Sequence, residues 1–147
     1  MLQRELINYY VVCEVRDMKI LLAEDDYVTR KAMDSFLSKY GECDVTVDGV
    51  EAVDAFLLAL EEEEPYDLVC LDIMMPAMDG YQVLKAIRDL EKERKIPEEK
   101  AVKVIMTTAL NDERNVKMAF DLGCTIYSGK PIDQARFEQA LKKLGLI

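Results

Sequence analysis

The sequence predicts one α/β domain in which a parallel sheet is covered by helices on both faces. Five short apolar segments recur along the 147 residues, and three of them are nearly continuous in Ile, Leu, Val and Met. Strands that are buried on both faces of a parallel sheet have this composition. A segment with helical periodicity follows each of them. Strand–helix alternation repeated five times implies right-handed crossovers and a doubly wound sandwich.

The predicted strands are the five apolar segments themselves. In chain order they are Lys19–Ala23, Cys43–Val47, Asp67–Leu71, Val102–Thr107 and Thr125–Tyr127.

The predicted helices are placed by apolar periodicity and by capping residues. The first runs from Tyr27 to Tyr40 and is stopped by Gly41, and the second runs from Val50 to Leu60 after the Asp48-Gly49 turn. The third is capped by Asp79, the fourth by Asn111 or Asp112 with Gly123 at its end, and the fifth starts at Ile132. The charged stretch Arg88–Lys100 is typical of an exposed helix end and loop.

Charge and composition exclude several classes of function. The chain has 19 Lys and Arg against 29 Asp and Glu, a net charge of −10, which disfavours direct binding to nucleic acid or to an anionic membrane surface. It has no histidine, so zinc sites with His ligands, Ser-His or Cys-His catalysis and a histidine phosphoacceptor are excluded.

The cysteines and the apolar runs predict a cytoplasmic protein. Cys13, Cys43, Cys70 and Cys124 show no C-x-x-C spacing, which favours free thiols in a reducing compartment. The sequence shows no signal peptide and no apolar run near the ~18 residues that a membrane span requires.

Polar side chains follow four of the predicted strands. Glu24-Asp25-Asp26 ends the first strand, Asp72 the third, Thr107-Thr108 the fourth and Lys130-Pro131 the fifth. Each has an ordinary explanation, such as a helix cap, but the carboxyl ends of parallel strands meet at one edge of the sheet. Carboxylates that cluster there need a cation, and oxygen-rich clusters suit Mg²⁺. The sequence therefore predicts a magnesium site at this edge.

Four motifs, KILLAEDD, DLVCLDIMMPAMDG, IMTTA and YSGKP, resemble the receiver domain of two-component response regulators. The resemblance covers residues 18–147 and leaves residues 1–17 as an N-terminal extension. It implies a flavodoxin-like (βα)5 sandwich with a parallel sheet in the order 2-1-3-4-5.

The resemblance assigns roles to the strand-end residues. It implies that Asp72 is the phosphoacceptor and that Glu24 and Asp25 are the acidic pair. Asp25, Asp72 and the backbone carbonyl of Met74 would bind Mg²⁺, or Mn²⁺ as an alternative, with Glu24 acting largely through water. Asp26 is expected not to be a ligand. The remaining matches are Thr108 as the switch hydroxyl, Tyr127 as the aromatic switch, Lys130 as the motif lysine, Pro131 as a cis proline, and Pro76 and Gly80 in the loop after Asp72.

The implied function is signalling by phosphorylation. A sensor histidine kinase or a histidine phosphotransfer protein would donate the phosphoryl group, and a conformational switch would signal to a downstream protein. The protein would not be an enzyme beyond its own phosphorylation and slow dephosphorylation. Met74 and Leu110 flank the phosphoryl position, and neither side chain can orient an attacking water, which predicts slow autodephosphorylation.

Several alternatives stay open at this point. No output domain follows the last helix, which favours a single-domain regulator, with an aspartyl phosphatase or a non-phosphorylated pseudo-receiver as alternatives. The apolar segment Leu6–Val12 is expected either to pack or dimerise the protein or to be passive. Ser128-Gly129 stands where apolar residues are more usual in the family, and it either alters the output face or has little effect.

Overall fold

The computed structural model describes residues 18–109 and 113–147. The N-terminal extension, Leu110 and the predicted caps Asn111 and Asp112 lie outside the described residues. The strands are β1 (Met18–Ala23), β2 (Gly41–Thr46), β3 (Leu68–Asp72), β4 (Lys103–Thr108) and β5 (Ile126–Gly129). The helices are α1 (Tyr27–Leu37), α2 (Gly49–Glu61), α3 (Gly80–Glu93), α4 (Glu113–Asp121) and α5 (Gln134–Lys143), with a 3-10 turn at Glu98–Lys100.

The five strands form one parallel sheet in the order β2-β1-β3-β4-β5. β1 lies between β2 and β3, with Leu22 in register with both Val45 and Cys70. β4 joins β3 to β5, and this register aligns Asp72 with Thr107 and Thr108 with Gly129. The predicted doubly wound α/β fold and strand order are confirmed.

Two hydrophobic cores lie on opposite faces of the sheet. One is formed by α2, α3 and α4 against alternate strand residues, and it includes Phe56, Leu84 and Met106. The other is formed by α1 and α5, and it includes Phe36, Phe137 and Leu141. Both faces of the central strands are thus buried, which explains why their sequences are continuously apolar.

Helix caps agree with the sequence at three helices. Asp48 and Asp79 accept hydrogen bonds from the backbone N–H groups of the first turns of α2 and α3, and Asp79 forms a capping box with Gln82. Gly123, after α4, has a φ of 99°, a conformation that glycine adopts at low cost.

Gly41 does not stop α1 as predicted. The helix ends at Leu37, Ser38 caps it, and Gly41 is the first residue of β2. A Cβ at Gly41 would lie 1.8 Å from the carbonyl oxygen of Met18. The prediction was wrong because Gly41 does not end a helix. A glycine is needed at this position because β1 approaches β2 closely.

Two other predictions also need correction. The last helix starts at Gln134, not at Ile132, because Asp133 is its N-cap and accepts a hydrogen bond from the N–H of Arg136. The charged stretch Arg88–Lys100 is mostly exposed as predicted, but Glu91, inside α3, is buried. Its carboxylate accepts hydrogen bonds from Arg88 at 2.6 Å and from the N–H of Val102 at 2.7 Å. A buried carboxylate is tolerated where its oxygens are paired in this way.

Within residues 18–109 and 113–147, none of the helices combines the length and the apolar composition needed to cross a membrane.

Candidate functional site

The sheet brings the predicted polar residues together at its carboxyl edge. Glu24 and Asp25 follow β1, and Asp72 ends β3 between them and β4. One carboxylate oxygen from each of these three residues lies within 4.8 Å of the others. Glu24 and Asp72 are buried, with 2% and 5% of their surface exposed, whereas Asp25 is exposed. The site therefore holds three acidic groups in a small and largely desolvated volume.

Lys130 supplies a cation to this cluster. Its Nζ lies 2.5 Å from Oε1 of Glu24 and 3.2 Å from Oδ1 of Asp72. The side chain reaches the carboxylates because the N–H of Lys130 donates to the carbonyl oxygen of Thr108 at 2.8 Å, which holds the end of β5 against β4. The Lys130-Pro131 peptide bond is cis, as the resemblance implied.

One lysine does not satisfy three carboxylates. Among the described residues, Oε2 of Glu24 is buried and has no hydrogen-bond partner. A buried carboxylate oxygen without a partner is costly unless a cation occupies the adjoining space. The donor set is composed of oxygens alone, which fits Mg²⁺ better than a soft metal.

The pKa values show the same imbalance of charge. Burial and the neighbouring Glu24 raise the pKa of Asp72 to about 6, in spite of the opposing effect of Lys130. Desolvation and the proximity of Asp72 also raise the pKa of Asp25. Burial acts to lower the pKa of Lys130, but its bonds to Glu24 and Asp72 outweigh this effect and raise it. Perturbed groups of both signs in one cleft are typical of functional sites.

Asp26 lies beside the cluster without joining it. Its carboxylate accepts hydrogen bonds from the N–H of Thr29 at 2.9 Å and from the hydroxyl of Thr29 at 2.7 Å. These bonds cap α1 and lower the pKa of Asp26. The structure therefore assigns Asp26 the role of N-cap of α1.

The loop after Asp72 connects β3 to α3. Met74 is 62% exposed at the surface, whereas Met75 is buried. The N–H of Gly80 donates to the carbonyl oxygen of Ile73 at 2.8 Å, and a Cβ at Gly80 would lie 2.6 Å from the carbonyl oxygen of Asp72. Glycine at this position therefore lets the start of α3 approach the strand end that carries Asp72.

Thr108 and Tyr127 lie on neighbouring strands. Thr108 is 1% exposed at the end of β4, and Tyr127 is partly buried on β5 against the core that contains Met106. The register pairs Met106 with Tyr127 and Thr108 with Gly129, so all four residues point to the same face of the sheet. A Cβ at Gly129 would meet no atom within 4 Å.

Sequence reasoning missed one residue of the site, Arg30. Its Nη1 donates to the carbonyl oxygens of Glu24 at 3.1 Å and Asp25 at 3.0 Å. The only sequence signal was a cation one helical turn after the acidic run, a pattern that is common on exposed helices.

Comparison with known proteins finds one matching family model and several proteins of similar sequence. The model of one protein family, the response regulator receiver domain, matches residues 20–142. The chain is 32% identical over 128 residues to hybrid signal transduction histidine kinase L of Dictyostelium discoideum. The aligned region covers 86% of this chain and 7% of that protein. Curated relatives that it matches are longer, and the chain spans 6% to 55% of their length.

Two solved structures are similar over most of the chain. A chain of the CheX-CheY-BeF3-Mg complex from Borrelia burgdorferi aligns with a TM-score of 0.75 and 29% identity, covering 88% of this chain and 90% of that one. A chain of the co-crystal structure of the Saccharomyces cerevisiae phosphotransfer protein Ypd1 with the receiver domain of Ssk1 aligns with a TM-score of 0.74 and 25% identity. That alignment also covers 88% of this chain and 90% of the other.

Proposed function

This chain belongs to the response regulator receiver domain family, and from that premise we propose that it signals by accepting a phosphoryl group on Asp72. The observation that carries this proposal is the position of Asp72, buried at the end of a central strand between two acidic residues and Lys130. Burying a charged carboxylate costs free energy, and perturbed carboxylates in such positions are typical of functional sites.

The phosphoryl donor is proposed to be a phosphohistidine on a sensor histidine kinase or a histidine phosphotransfer protein. A carboxylate oxygen of Asp72 forms the new bond to phosphorus, the phosphorus–nitrogen bond breaks, and the departing imidazole takes up a proton from solvent. Lys130 faces Asp72 at 3.2 Å and offsets the negative charge that develops on the transferring group. None of the 147 residues is a histidine, so the proposed donor histidine lies outside this sequence.

Mg²⁺ is the proposed cofactor, with Mn²⁺ as an alternative ion. Glu24, Asp25 and Asp72 supply clustered oxygens, the unpartnered Oε2 of Glu24 is one of them, and the carbonyl of Met74 is a proposed further ligand. When it is bound, such an ion neutralises charge on phosphoryl oxygens. The similar Borrelia structure is described as a complex with BeF3 and Mg, which supports this assignment.

The proposed output is a change of surface that starts at Thr108. A phosphoryl group adds about −1 to −2 of charge beside the acidic cluster, and the hydroxyl of Thr108 is the proposed donor to it. Tyr127 lies on the same face of the sheet and would repack as Thr108 moves. The surface of α4, β5 and α5 would then bind a downstream protein, or a second copy as a homodimer, and not nucleic acid.

The proposed compartment is the cytoplasm. Cys43, Cys70 and Cys124 are free thiols, and burial raises the pKa of Cys43 to about 12 and that of Cys124 to about 11. These free thiols, of which Cys70 and Cys124 are buried, suit a reducing environment and have no role in the proposed chemistry.

The experiment is to incubate the protein with acetyl phosphate and Mg²⁺ and to measure its intact mass. We expect a stoichiometric, base-labile gain of about 80 Da, one phosphoryl group, that is absent without Mg²⁺ and absent in Asp72→Asn. A protein that acquires no adduct would be a pseudo-receiver, and sustained release of phosphate from esters would identify a hydrolase. An adduct that persists in Asp72→Asn would show that another residue is the acceptor.

A further inference from the structure

Arg30 in α1 bonds the backbone of the acidic pair and not its carboxylates. A single atom, Nη1, donates to the carbonyl oxygen of Glu24 at 3.1 Å and to that of Asp25 at 3.0 Å. These two residues contribute two of the three carboxylates of the cluster. One guanidinium nitrogen therefore ties together the backbone positions from which both side chains depart.

Other hydrogen bonds hold the connection between β1 and α1 on either side of the residues that Arg30 contacts. The N–H of Glu24 donates to the carbonyl oxygen of Thr46 at 3.1 Å, and the carboxylate of Asp26 is bonded to Thr29. Asp25 is different, because its side chain is exposed. The place of its carboxylate therefore depends on the backbone that Arg30 holds.

The ring of Tyr27 orients the guanidinium. The Cζ of Arg30 lies 5.5 Å from the centroid of this ring, and the Nζ of Lys31 lies 5.7 Å from the same centroid. Arg30 and Lys31 thus share one aromatic neighbour, but of these two residues only Arg30 donates to the carbonyl oxygens of Glu24 and Asp25. Lys31 is exposed, which makes it a matched control for loss of a positive charge at this end of α1.

We propose that Arg30 is a positioning residue for the Mg²⁺ site, which holds the carboxylates of Glu24 and Asp25 in a ligating arrangement. The inference rests on the proposed function. Outer partners of metal ligands typically change metal affinity by about 10- to 100-fold when they are removed. Arg30 fits this role because its bonds end on the residues that carry the ligands.

A positioning role and a purely electrostatic role for Arg30 predict opposite changes in Mg²⁺ affinity when Arg30 is replaced. Removing a positive charge beside an anionic site strengthens the attraction for Mg²⁺ through the electrostatic term alone. Removing bonds that hold the ligands weakens the binding. The sign of the change in affinity therefore separates the two effects.

The experiment is to titrate the full chain with Mg²⁺ and to follow amide chemical shifts by NMR for the wild type and for Arg30→Met, Arg30→Lys and Lys31→Met. We expect Arg30→Met to raise the Mg²⁺ dissociation constant by about 10-fold. Arg30→Lys, which retains a cationic donor, should recover part of this loss. Lys31→Met should leave the constant unchanged or slightly lower.

Two further readouts exclude a merely structural effect. The unfolding midpoint in EDTA should stay close to the wild-type value in Arg30→Met, since Arg30 is only partly buried. With acetyl phosphate, the half-saturating Mg²⁺ concentration should rise while the maximal rate of phosphorylation changes little.

The outcomes are decisive. Unchanged or tighter Mg²⁺ binding in Arg30→Met, or an equal loss in Lys31→Met, would overturn the role of Arg30 while leaving the proposed function intact. A wild type that binds no Mg²⁺ would instead refute the metal site itself and the inference with it.

Discussion

The Nζ of Lys130 lies 2.5 Å from Oε1 of Glu24, a residue 106 positions earlier in the chain. The same nitrogen is farther from Asp72, at 3.2 Å. In this arrangement Glu24 takes the shorter bond, and the charge of Asp72, the proposed phosphoacceptor, is incompletely neutralised. Burial, followed by the proximity of Glu24, raises the pKa of Asp72, and Lys130 opposes this shift without cancelling it.

Replacing Asp72 with Asn should therefore stabilise the metal-free protein at neutral pH. The ionised carboxylate is disfavoured by burial and by Glu24, and removing its charge is expected to raise the free energy of unfolding by about 1 to 3 kcal/mol. The measurement is urea unfolding in EDTA at pH 7.5, with Asp54→Asn on the exposed face of α2 as a control expected to change little. Equal or lower stability of Asp72→Asn would contradict the expectation.

The same substitution predicts a pH dependence. The pKa of Asp72 is raised to about 6 in the folded protein, so the folded state takes up a proton more readily than the unfolded state. The wild type should gain stability relative to Asp72→Asn as the pH falls from 7 through about 6 toward 4. The difference in free energy of unfolding between Asp72→Asn and the wild type should decrease over this pH range. A difference that stays constant would argue against the raised pKa of Asp72.

The ion pair between the partly buried Arg88 and the buried Glu91 should contribute to the free energy of unfolding. Arg88 bonds Glu91 and also donates to the carbonyl oxygen of Gly123 at 2.7 Å, so it joins α3 to the turn after α4. Glu91→Ala removes its partner and leaves the N–H of Val102 without an acceptor, at an expected cost of about 2 to 4 kcal/mol. Chemical unfolding measures this cost.

The matched control for that pair lies on the same helix. Lys85 and Asp89 form an exposed ion pair at 2.8 Å, and Asp89→Ala should change stability little because solvent screens such pairs. Comparable losses in Asp89→Ala and Glu91→Ala would show that burial does not distinguish the two pairs.

Two glycines should respond to alanine in opposite directions. A Cβ at Gly129 meets no atom within 4 Å, so Gly129→Ala is expected to raise stability by about 0.5 to 1 kcal/mol by restricting the unfolded chain. Gly41→Ala should be strongly destabilising, because its Cβ would lie 1.8 Å from the carbonyl oxygen of Met18. Thermal unfolding of both variants tests the contrast, and a stabilising Gly41→Ala would refute the close approach of β1 and β2.

The lifetime of the phosphorylated protein should depend on Met74. This side chain is 62% exposed beside Asp72 and offers no group to orient a hydrolytic water. Met74→Asn should shorten the phosphorylated lifetime several-fold, as followed by loss of the mass adduct after the donor is removed. Met118→Asn, which replaces another exposed methionine away from the site, should not change it, and equal lifetimes in all three proteins would exclude a role for Met74.

The sequence was sufficient for the order of elements and for the edge of the sheet at which the polar residues meet. Continuous apolar strands reveal burial on both faces, and Asp72 is conspicuous because it ends such a strand. Contacts between distant segments were beyond this reasoning. In the sequence Gly41 looks like a helix stop, and only the fold shows its contact with Met18. Glu91 looks like a solvated charge, and only the fold shows its hydrogen bonds with Arg88 and Val102. Arg30 is equally ordinary in the sequence, since its partners are backbone carbonyls.

The dependence of the site on β5 has a consequence during synthesis of the chain. A nascent polypeptide that has released β1 to β4 already contains Glu24, Asp25 and Asp72, but it lacks the ammonium group of Lys130. The three acidic groups would then lack the ammonium group that offsets part of their mutual repulsion in the folded protein. Under the proposed function, competence for phosphorylation is therefore expected only after Lys130, which follows β5, has joined the site.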